Sequence, residues 1–358
     1  MALGMPSIDV IFRQLAATAV RRSSRGVFAL VVRDDTADTK ETATYTTYLD
    51  IPENAYTEEN MTMIQQAFTG QPAKVIIVKQ KTTGTTQELK AVLDAISFNW
   101  MAVASKTEAD QEAAVAYVQN RNKMKKGKPV KAIVYKVATA DDMHIVRLTT
   151  ETAVMEGTQV EGWTLLARLG GVLAGLPMTR SATYYTLPDI ESVTEPENMD
   201  TAVDNGDFFL FNDEGEVRIA RAVNSMTTLG TNQTEDMRSI AIVEAMDLMS
   251  EDIYSTFKND YLGKFKNSYD NQCLFIAAVN GYFKDLGKEE ILDRNYNNIA
   301  NVDVEAQRDA WLANGTTEAA NWDELTVKKN TFKRKVFLAG NVKILDAMED
   351  LIFPITMM

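Results

Sequence analysis

The sequence is poor in the residues on which most protein chemistry depends. Its 358 residues contain one cysteine, Cys273, and one histidine, His144. A single cysteine excludes an intrachain disulfide. In Cys273-Leu274-Phe275-Ile276-Ala277-Ala278-Val279 the thiol is expected to be buried and inert, which suits a reducing place of synthesis. A serine or cysteine nucleophile needs a base beside it, and here every such relay would have to use His144. His144 sits at a strand start in Met143-His144-Ile145-Val146-Arg147, with no G-x-S-x-G elbow anywhere, so it reads as a structural or surface histidine. The same shortage excludes a soft-ligand metal centre. The acid pairs Asp34-Asp35, Asp141-Asp142 and Glu349-Asp350 follow no EF-hand pattern and read as solvated loop acids. Long apolar runs are also missing: Trp163 to Leu176 is short and interrupted by Arg168, and the N-terminus has no basic region followed by an apolar core. Neither a signal peptide nor direct membrane insertion is expected.

Cations are in deficit. Lys and Arg number 37 against 50 Asp and Glu, a net charge of -13, whereas a nucleic-acid binder needs clustered cations against phosphate. The charge is unevenly spread: from Asp189 to Glu216 there are ten acidic residues and no basic one, and from Lys328 to Lys343 six basic residues and no acidic one. Solvated faces are the simplest reading, and complementary patches on a self-assembling protein are the sharper alternative. Thr82-Thr83-Gly84-Thr85-Thr86 joins a strand to a helix, where anions bind, yet it lacks the Walker lysine and G-x-G-x-x-G; it reads as a capped turn, and no cofactor is expected.

What is present is an ordinary globular composition, 45% hydrophobic and 24% charged, with an unusual pair of ends. Ser7 to Arg13 alternates Ile8, Val10 and Phe12 with Asp9 and Arg13, as a strand would. At the other end Val342 and Ile344 lead through Asp346 to Asp350 into Leu351-Ile352-Phe353-Pro354-Ile355-Thr356-Met357-Met358. Termini are normally polar unless something ties them down. Both ends therefore read as strands offered to another sheet.

Between them the fold class reads as α/β and α+β. Val27 to Val32 is a strand buried on both faces, followed by an acidic loop and a helix near Thr57 to Phe68. Strands at Ala73 to Val78, Phe98 to Ala104 and Lys131 to Val137 alternate with helices at Thr86 to Ile96, capped by Thr85, and Glu108 to Lys125. An edge-like strand follows at His144 to Thr149. This pattern specifies a mainly parallel sheet. A second, α+β region begins near Glu161, where Gly170-Gly171 and Gly175 allow close helix packing. Short strands follow at Ala182 to Thr186, Phe208 to Asn212 and Val217 to Ala222, with Asp213-Glu214-Gly215-Glu216 as a hairpin turn. From Thr234 to Phe257 a long helix carries Ile242, Val243, Met246, Met249, Ile253 and Phe257 on one face and Glu244, Asp247 and Glu251 on the other, and another helix spans about Asn271 to Leu286. The expected division is an N-terminal arm and hinge at 1–25, an α/β domain at 26–160, a core domain at 161–338 and a C-terminal arm at 339–358.

Several stretches resemble contractile phage tail sheath proteins. They are Gly4-Met5-Pro6-Ser7-Ile8-Asp9-Val10 with Arg22-Ser23-Ser24-Arg25-Gly26; Gly175-Leu176-Pro177-Met178-Thr179-Arg180-Ser181-Ala182-Thr183-Tyr184; and Arg218-Ile219-Ala220-Arg221-Ala222-Val223-Asn224-Ser225. Asp260-Tyr261-Leu262-Gly263-Lys264, Asn267-Ser268-Tyr269-Asp270-Asn271 and Lys343-Ile344-Leu345-Asp346-Ala347-Met348-Glu349-Asp350 complete the set. Their order and spacing span essentially the whole chain, and the likeness is strongest to the compact sheaths of R-type bacteriocins and phage-tail-like particles, diffocin among them.

The resemblance implies a structural protein with no cofactor and no catalytic residue, its α/β domain subtilisin-like in fold without being a protease. It implies a homo-oligomer of stacked hexameric rings wound around an inner tail tube, with baseplate and tail terminator partners, in a virion tail or phage-tail-like particle assembled in the bacterial cytoplasm. It also implies that Ile8, Val10, Phe12, Val342, Ile344, Leu351, Phe353 and Ile355 belong to strand arms that join neighbouring subunits. Ser24, Gly26 and Gly340 are the expected hinges, and Lys264, Lys333, Arg334 and Lys335 the candidate charge contacts to tube or subunit. Two alternatives stand beside this: a cytoplasmic α/β enzyme with a pocket near Gly84 or His144, and a monomeric module that captures a peptide on a vacant sheet edge.

Overall fold

The apolar run that opens the described body becomes the middle of a sheet. A computed structural model describes residues 20, 25–36, 41–124, 127–138 and 140–357; Ser7 to Arg13, with Ile8, Val10 and Phe12, and the expected hinge residue Ser24 lie outside them. By contact the described residues form two compact units, one of 25–251 with 346–357 and one of 252–345.

In the first unit, β1 (Val27–Arg33), β2 (Thr42–Tyr45), α1 (Glu58–Thr69), β3 (Lys74–Gln80), α2 (Thr86–Ala95), β4 (Trp100–Ala104), α3 (Glu108–Met124), β5 (Lys131–Tyr135) and β6 (Ile145–Leu148) alternate as the patterning requires. They form a seven-stranded sheet in the order β10-β6-β5-β4-β1-β3-β2, where β10 is the two-residue strand Asp207–Phe208. All neighbours are parallel except β2, which runs antiparallel to β3. β1 is buried along nearly its whole length because both faces are covered. Phe28, Leu30, Val32, Trp100 and Ala102 share one core with α1 and α4 (Leu165–Gly175); Val27, Ala29, Val31, Met101 and Val103 share the other with α2 and α3.

Local chemistry fixes the ends of these elements. Thr85 accepts a hydrogen bond from the Glu88 N–H while the Glu88 carboxylate accepts from the Thr85 N–H, a complete capping box on α2 worth about 1 kcal/mol. Gly171 lies so close to α1 that a Cβ there would stand 2.0 Å from the Ala67 carbonyl oxygen, which accounts for the glycines expected to permit close packing.

The rest of this unit is a set of small sheets. β7 (Thr152–Met155) pairs antiparallel with β8 (Thr158–Glu161) and with β9 (Ser192–Val193). After α5 (Met199–Asp204), β11 (Leu210–Asp213) and β12 (Glu216–Ile219) form the expected hairpin. Its two turn residues, Glu214 and Gly215, both take positive φ, 51° and 90°, as a type I′ turn requires.

Several expectations change. The acidic loop after β1 includes the edge strand β2, short and half-exposed, so its pattern is weak. β6 is not the edge, since β10 pairs outside it. Ala182 to Thr186 forms only one bridge, Thr186 to Arg218, because Tyr184 turns the chain with φ 57°. Asp34 is a buried loop organiser rather than a solvated acid, accepting from the Thr36 and Thr57 N–H groups and the Asn60 amide. Burial raises its pKa, but those hydrogen bonds prevail and hold it at about 2. The boundary expected at 160/161 falls inside the first unit because α4 packs on the sheet, and the unit ends instead within α6 (Ile240–Thr256).

The second unit continues through a π-turn at Phe257–Tyr261 into α7 (Tyr269–Lys288), β13 (Ile299–Val302), α8 (Val304–Ala313), α9 (Glu324–Lys329) and β14 (Leu338–Asn341). Phe257, Tyr261 and Phe275 stack edge-on and parallel within 6.4 Å. Cys273 is half-buried on α7. β14 pairs antiparallel with β13, so the boundary expected at 338/339 falls inside a strand.

Candidate assembly surfaces

The C-terminal segment combines a fastened root with a free end. Asp346 accepts from the Ser239 hydroxyl at 3.2 Å, Glu349 from Ser181 at 3.0 Å, and both Asp350 oxygens lie on Arg221 Nη2 at 2.6 and 2.7 Å. Arg221 Nε is also 3.4 Å from Glu349. The hydrogen bond to Asp350 raises the Arg221 pKa further. Beyond this root, Leu351, Phe353 and Ile355 are 89%, 73% and 74% exposed and in no regular element. Apolar side chains held this far into water are unusual for a segment that has no further partner.

Val342 and Ile344 lie elsewhere. Ile344 bridges Leu292, with the Asp293 N–H donating to Lys343 O and the Leu345 N–H to Ile291 O, so this stretch is engaged within the second unit. Gly340 lies in β14 opposite Ala300. The Asp303 N–H donates to Phe337 O, and antiparallel alternation then points residues 337, 339, 341, 343 and 345 inward. The main-chain groups of Leu338, Gly340, Val342 and Ile344 face outward along one edge, with no hydrogen-bond partner among the described residues.

The chain preceding β1 is also anchored. Gly26 takes φ +79°, and a Cβ there would press on Ala73 and on the Ala174 carbonyl within 3.2 Å, so it is a constrained turn. Arg25 pairs with Glu244 and lies 3.5 Å from Glu251. Glu244 also accepts from Trp100 Nε1 at 2.6 Å and from Lys131 Nζ at 3.1 Å. Lys131 pairs with Asp247, whose other oxygen lies 3.1 Å from His144 Nε2, and His144 Nδ1 lies 3.4 Å from Asp142. The acidic face of α6 thus receives cations from β5, the start of β6 and the chain before β1. Burial opposes ionisation of Glu244 and Asp247, yet Arg25 and Lys131 for the first, and Lys131 and His144 for the second, lower both pKa values. Burial also works against the imidazolium of His144, but its bonds to Asp142 and Asp247 raise it to about 9. His144 is therefore a structural, charged histidine.

A pH dependence follows. The His144 contribution is full below its ordinary 6.5 and is lost as pH rises through about 9; the Asp247 contribution is present above its ordinary 3.8 and is lost in acid. Stability of the unassembled chain in urea is expected to hold from about pH 5 to 6.5 and to fall toward pH 9.5. His144→Gln should flatten the alkaline limb, and an unchanged limb would remove the histidine from this role.

The charged runs are partly neutralised within the chain. Asp189 takes Arg168 through two hydrogen bonds of 2.8 and 2.9 Å, Asp207 pairs with Arg147, and Asp213 and Glu216 with Arg218. Glu197, Asp200, Asp204 and Glu214 remain exposed without an ion pair among the described residues. In the basic run Lys328 pairs with Glu324 and Lys343 with Asp293. Lys333, Arg334 and Lys335 are exposed, and Lys264, on a different loop, donates to Asn259 O.

An enzymatic reading would need polar groups converging in a pocket. The cleft beside Gly84, about 710 Å³, is lined by Asp34, Asp35, Lys79 and Glu88. Each of these already bonds its own loops or cap.

Residues 54–225 match the phage tail sheath protein central domain and residues 232–358 the phage tail sheath C-terminal domain. The tail sheath protein of Clostridium phage phiCD119 is 30% identical across 97% of this chain and 98% of its own. The chain belongs to the phage tail sheath family. It is a structural sheath protein, and nothing supports the enzyme alternative. Its fold is that of solved sheaths: the anti-feeding prophage helical sheath in its contracted state aligns with a TM-score of 0.73 over 99% of each chain at 12% identity. The sheath tail protein of Desulfitobacterium hafniense aligns at 0.69 over 84% of this chain and 94% of that one, also at 12% identity.

Sequence reasoning missed the clamp residues Ser181 and Arg221, although both lie in stretches that carried the family resemblance. Arg221 meets Asp350 across 129 positions, a pairing no local pattern encodes. It missed the Arg25–Lys131–Glu244–Asp247 cluster as well; the signal was Lys131 at the head of an otherwise apolar strand.

Proposed function

We propose that this sheath protein polymerises into a helical stack of hexameric rings around an inner tail tube and contracts to drive that tube through a target cell envelope. Neighbouring subunits are linked by strand addition, with the C-terminal arm of one subunit lying on the outer edge of β14 in another. The observation that carries this reading is the exposed apolar segment Leu351 to Met357, leading from a pinned root, together with a β14 edge that is unpaired among the described residues. Leu338, Gly340, Val342 and Ile344 each present one N–H and one C=O, and each hydrogen bond formed is worth ~0.5 to 1.5 kcal/mol. Two arms per subunit make the mesh strong by avidity. Ile8, Val10 and Phe12 are assigned to the second arm, and the segment around Ser24 to the joint before the anchored Arg25. Baseplate and tail terminator proteins bound the stack, which is assembled in the bacterial cytoplasm. No cofactor enters this scheme.

Lys333, Arg334 and Lys335, with Lys264, are proposed to meet acidic surface on the tube or on the exposed acids of another subunit. Negative-stain microscopy of the chain alone and with its tube protein tests both levels. Tubes or stacked rings are expected, and reversal of all three residues (Lys333→Glu, Arg334→Glu, Lys335→Glu) should remove tube attachment or regular stacking. A chain that stays monomeric with its tube protein present would sink the assembly reading. Normal sheathed tubes from the reversed variant would sink only the basic run's role.

A further inference from the structure

The two-stranded sheet β13–β14 has two edges, and strand addition is productive only if a neighbour finds the right one. The structure distinguishes them. On β13 the outward main-chain groups are those of Ala300 and Val302, by the same alternation that turns Leu338 and Gly340 outward on β14. The Ala300 N–H donates to Asn280 Oδ1 at 2.6 Å, and the Asn280 amide donates to Ala300 O at 3.1 Å. A side-chain amide thus reproduces the paired hydrogen bonds that a third strand would make. The next outward donor, the Val302 N–H, is taken by its own neighbour, Asn301 Oδ1, at 2.9 Å. β13 is closed to an incoming strand; β14 has no such guard among the described residues.

We propose that Asn280 is the specificity-determining residue for strand exchange: by closing the β13 edge it forces the arm of a second copy onto β14. This rests on the strand-addition reading above. Asn280 holds its place because it projects from α7, which packs against β13, and because an amide, unlike a carboxylate or hydroxyl, presents a donor and an acceptor side by side. Asn280→Ala leaves Ala300 with a free N–H and a free C=O, so that β13, although its Val302 N–H stays on Asn301 Oδ1, now offers an incoming strand a paired donor and acceptor. Arms then bind on either edge, and a ring whose contacts must all be equivalent loses its regular closure.

Disulfide trapping reads the edge directly. In a Cys273→Ala background, Phe353→Cys is combined either with Asn341→Cys on β14 or with Ile299→Cys, which lies opposite it on β13. With Asn280 intact, inter-subunit cross-links are expected at 341 and at background level at 299. With Asn280→Ala the yield at 299 should rise severalfold toward that at 341, and tubes should become irregular by microscopy. Should Asn280→Ala fail to fold, Asn280→Asp, which keeps an acceptor for the Ala300 N–H but sets a carboxylate against its carbonyl, must give the same spread. Cross-links confined to 341 in the folded Asn280 variants would overturn the proposal while leaving strand addition intact. No cross-link at 341 with Asn280 present, with Leu351→Cys and Ile355→Cys equally silent, would overturn strand addition and this inference with it.

Discussion

Lys131→Ala is expected to destabilise the unassembled subunit by about 3 to 5 kcal/mol, enough to leave the sheet domain largely unfolded at moderate urea. The Lys131 side chain is 2% exposed and serves Glu244 and Asp247 together, while its ammonium stands 5.4 Å from the centre of the Trp100 ring. Removing it leaves two buried carboxylates short of a cation. Arg25 and Trp100 still serve Glu244, and His144 serves Asp247, which keeps the loss below the cost of an isolated buried charge. The expected cost is that of breaking a pair; the pair itself need contribute little. Lys131→Met combined with Asp247→Leu should therefore recover much of the loss, because no charge of that pair remains to be compensated. Urea unfolding followed by circular dichroism measures both variants. A loss under about 1 kcal/mol for Lys131→Ala would mean that the cluster is hydrated and its charges screened.

The same cluster shows where the sequence is legible and where it is not. Val27 to Val32 and the apolar stretch of Ala73 to Val78 were readable as buried strands because a strand covered on both faces must be continuously apolar. The Thr85 cap and the Glu214-Gly215 turn were readable because each depends on residues within four positions. Glu244, Asp247 and Glu251 were not, since a helix with acids on one face looks the same whether that face meets water or Lys131 and Arg25. The partners lie 113 to 226 positions away, and only the tertiary fold brings them in. The C-terminal arm was legible for the opposite reason: Leu351 to Met357 has nothing local to satisfy it, and in the structure it is exposed throughout. Its root was illegible, because Glu349-Asp350 becomes a clamp only opposite Ser181 and Arg221.

Deleting Leu351 to Met358 is expected to abolish self-assembly without unfolding the subunit. Stability should be preserved because the described part of the deleted segment, Leu351 to Met357, is exposed, and such changes usually fall within about 0.5 kcal/mol. The root at Asp346 to Asp350, with its bonds to Ser239, Ser181 and Arg221, remains in place. Assembly should not be preserved. Docking Leu351, Phe353 and Ile355 against a neighbour removes apolar surface worth roughly 1.5 to 3 kcal/mol for each side chain fully buried, and the main-chain bonds along β14 add to it. Even after ordering a flexible segment is subtracted, a net of about 4 kcal/mol per junction raises the critical concentration about a thousandfold. Pro354 leaves one position without a donor, so pairing along the arm is interrupted there and the flanking apolar residues carry more of the contact. Sedimentation across a concentration series, with negative-stain images of the pellets, gives the critical concentration of both proteins. Tubes of the truncated chain at an unchanged critical concentration would show that the subunits are joined through their bodies or through the other arm alone.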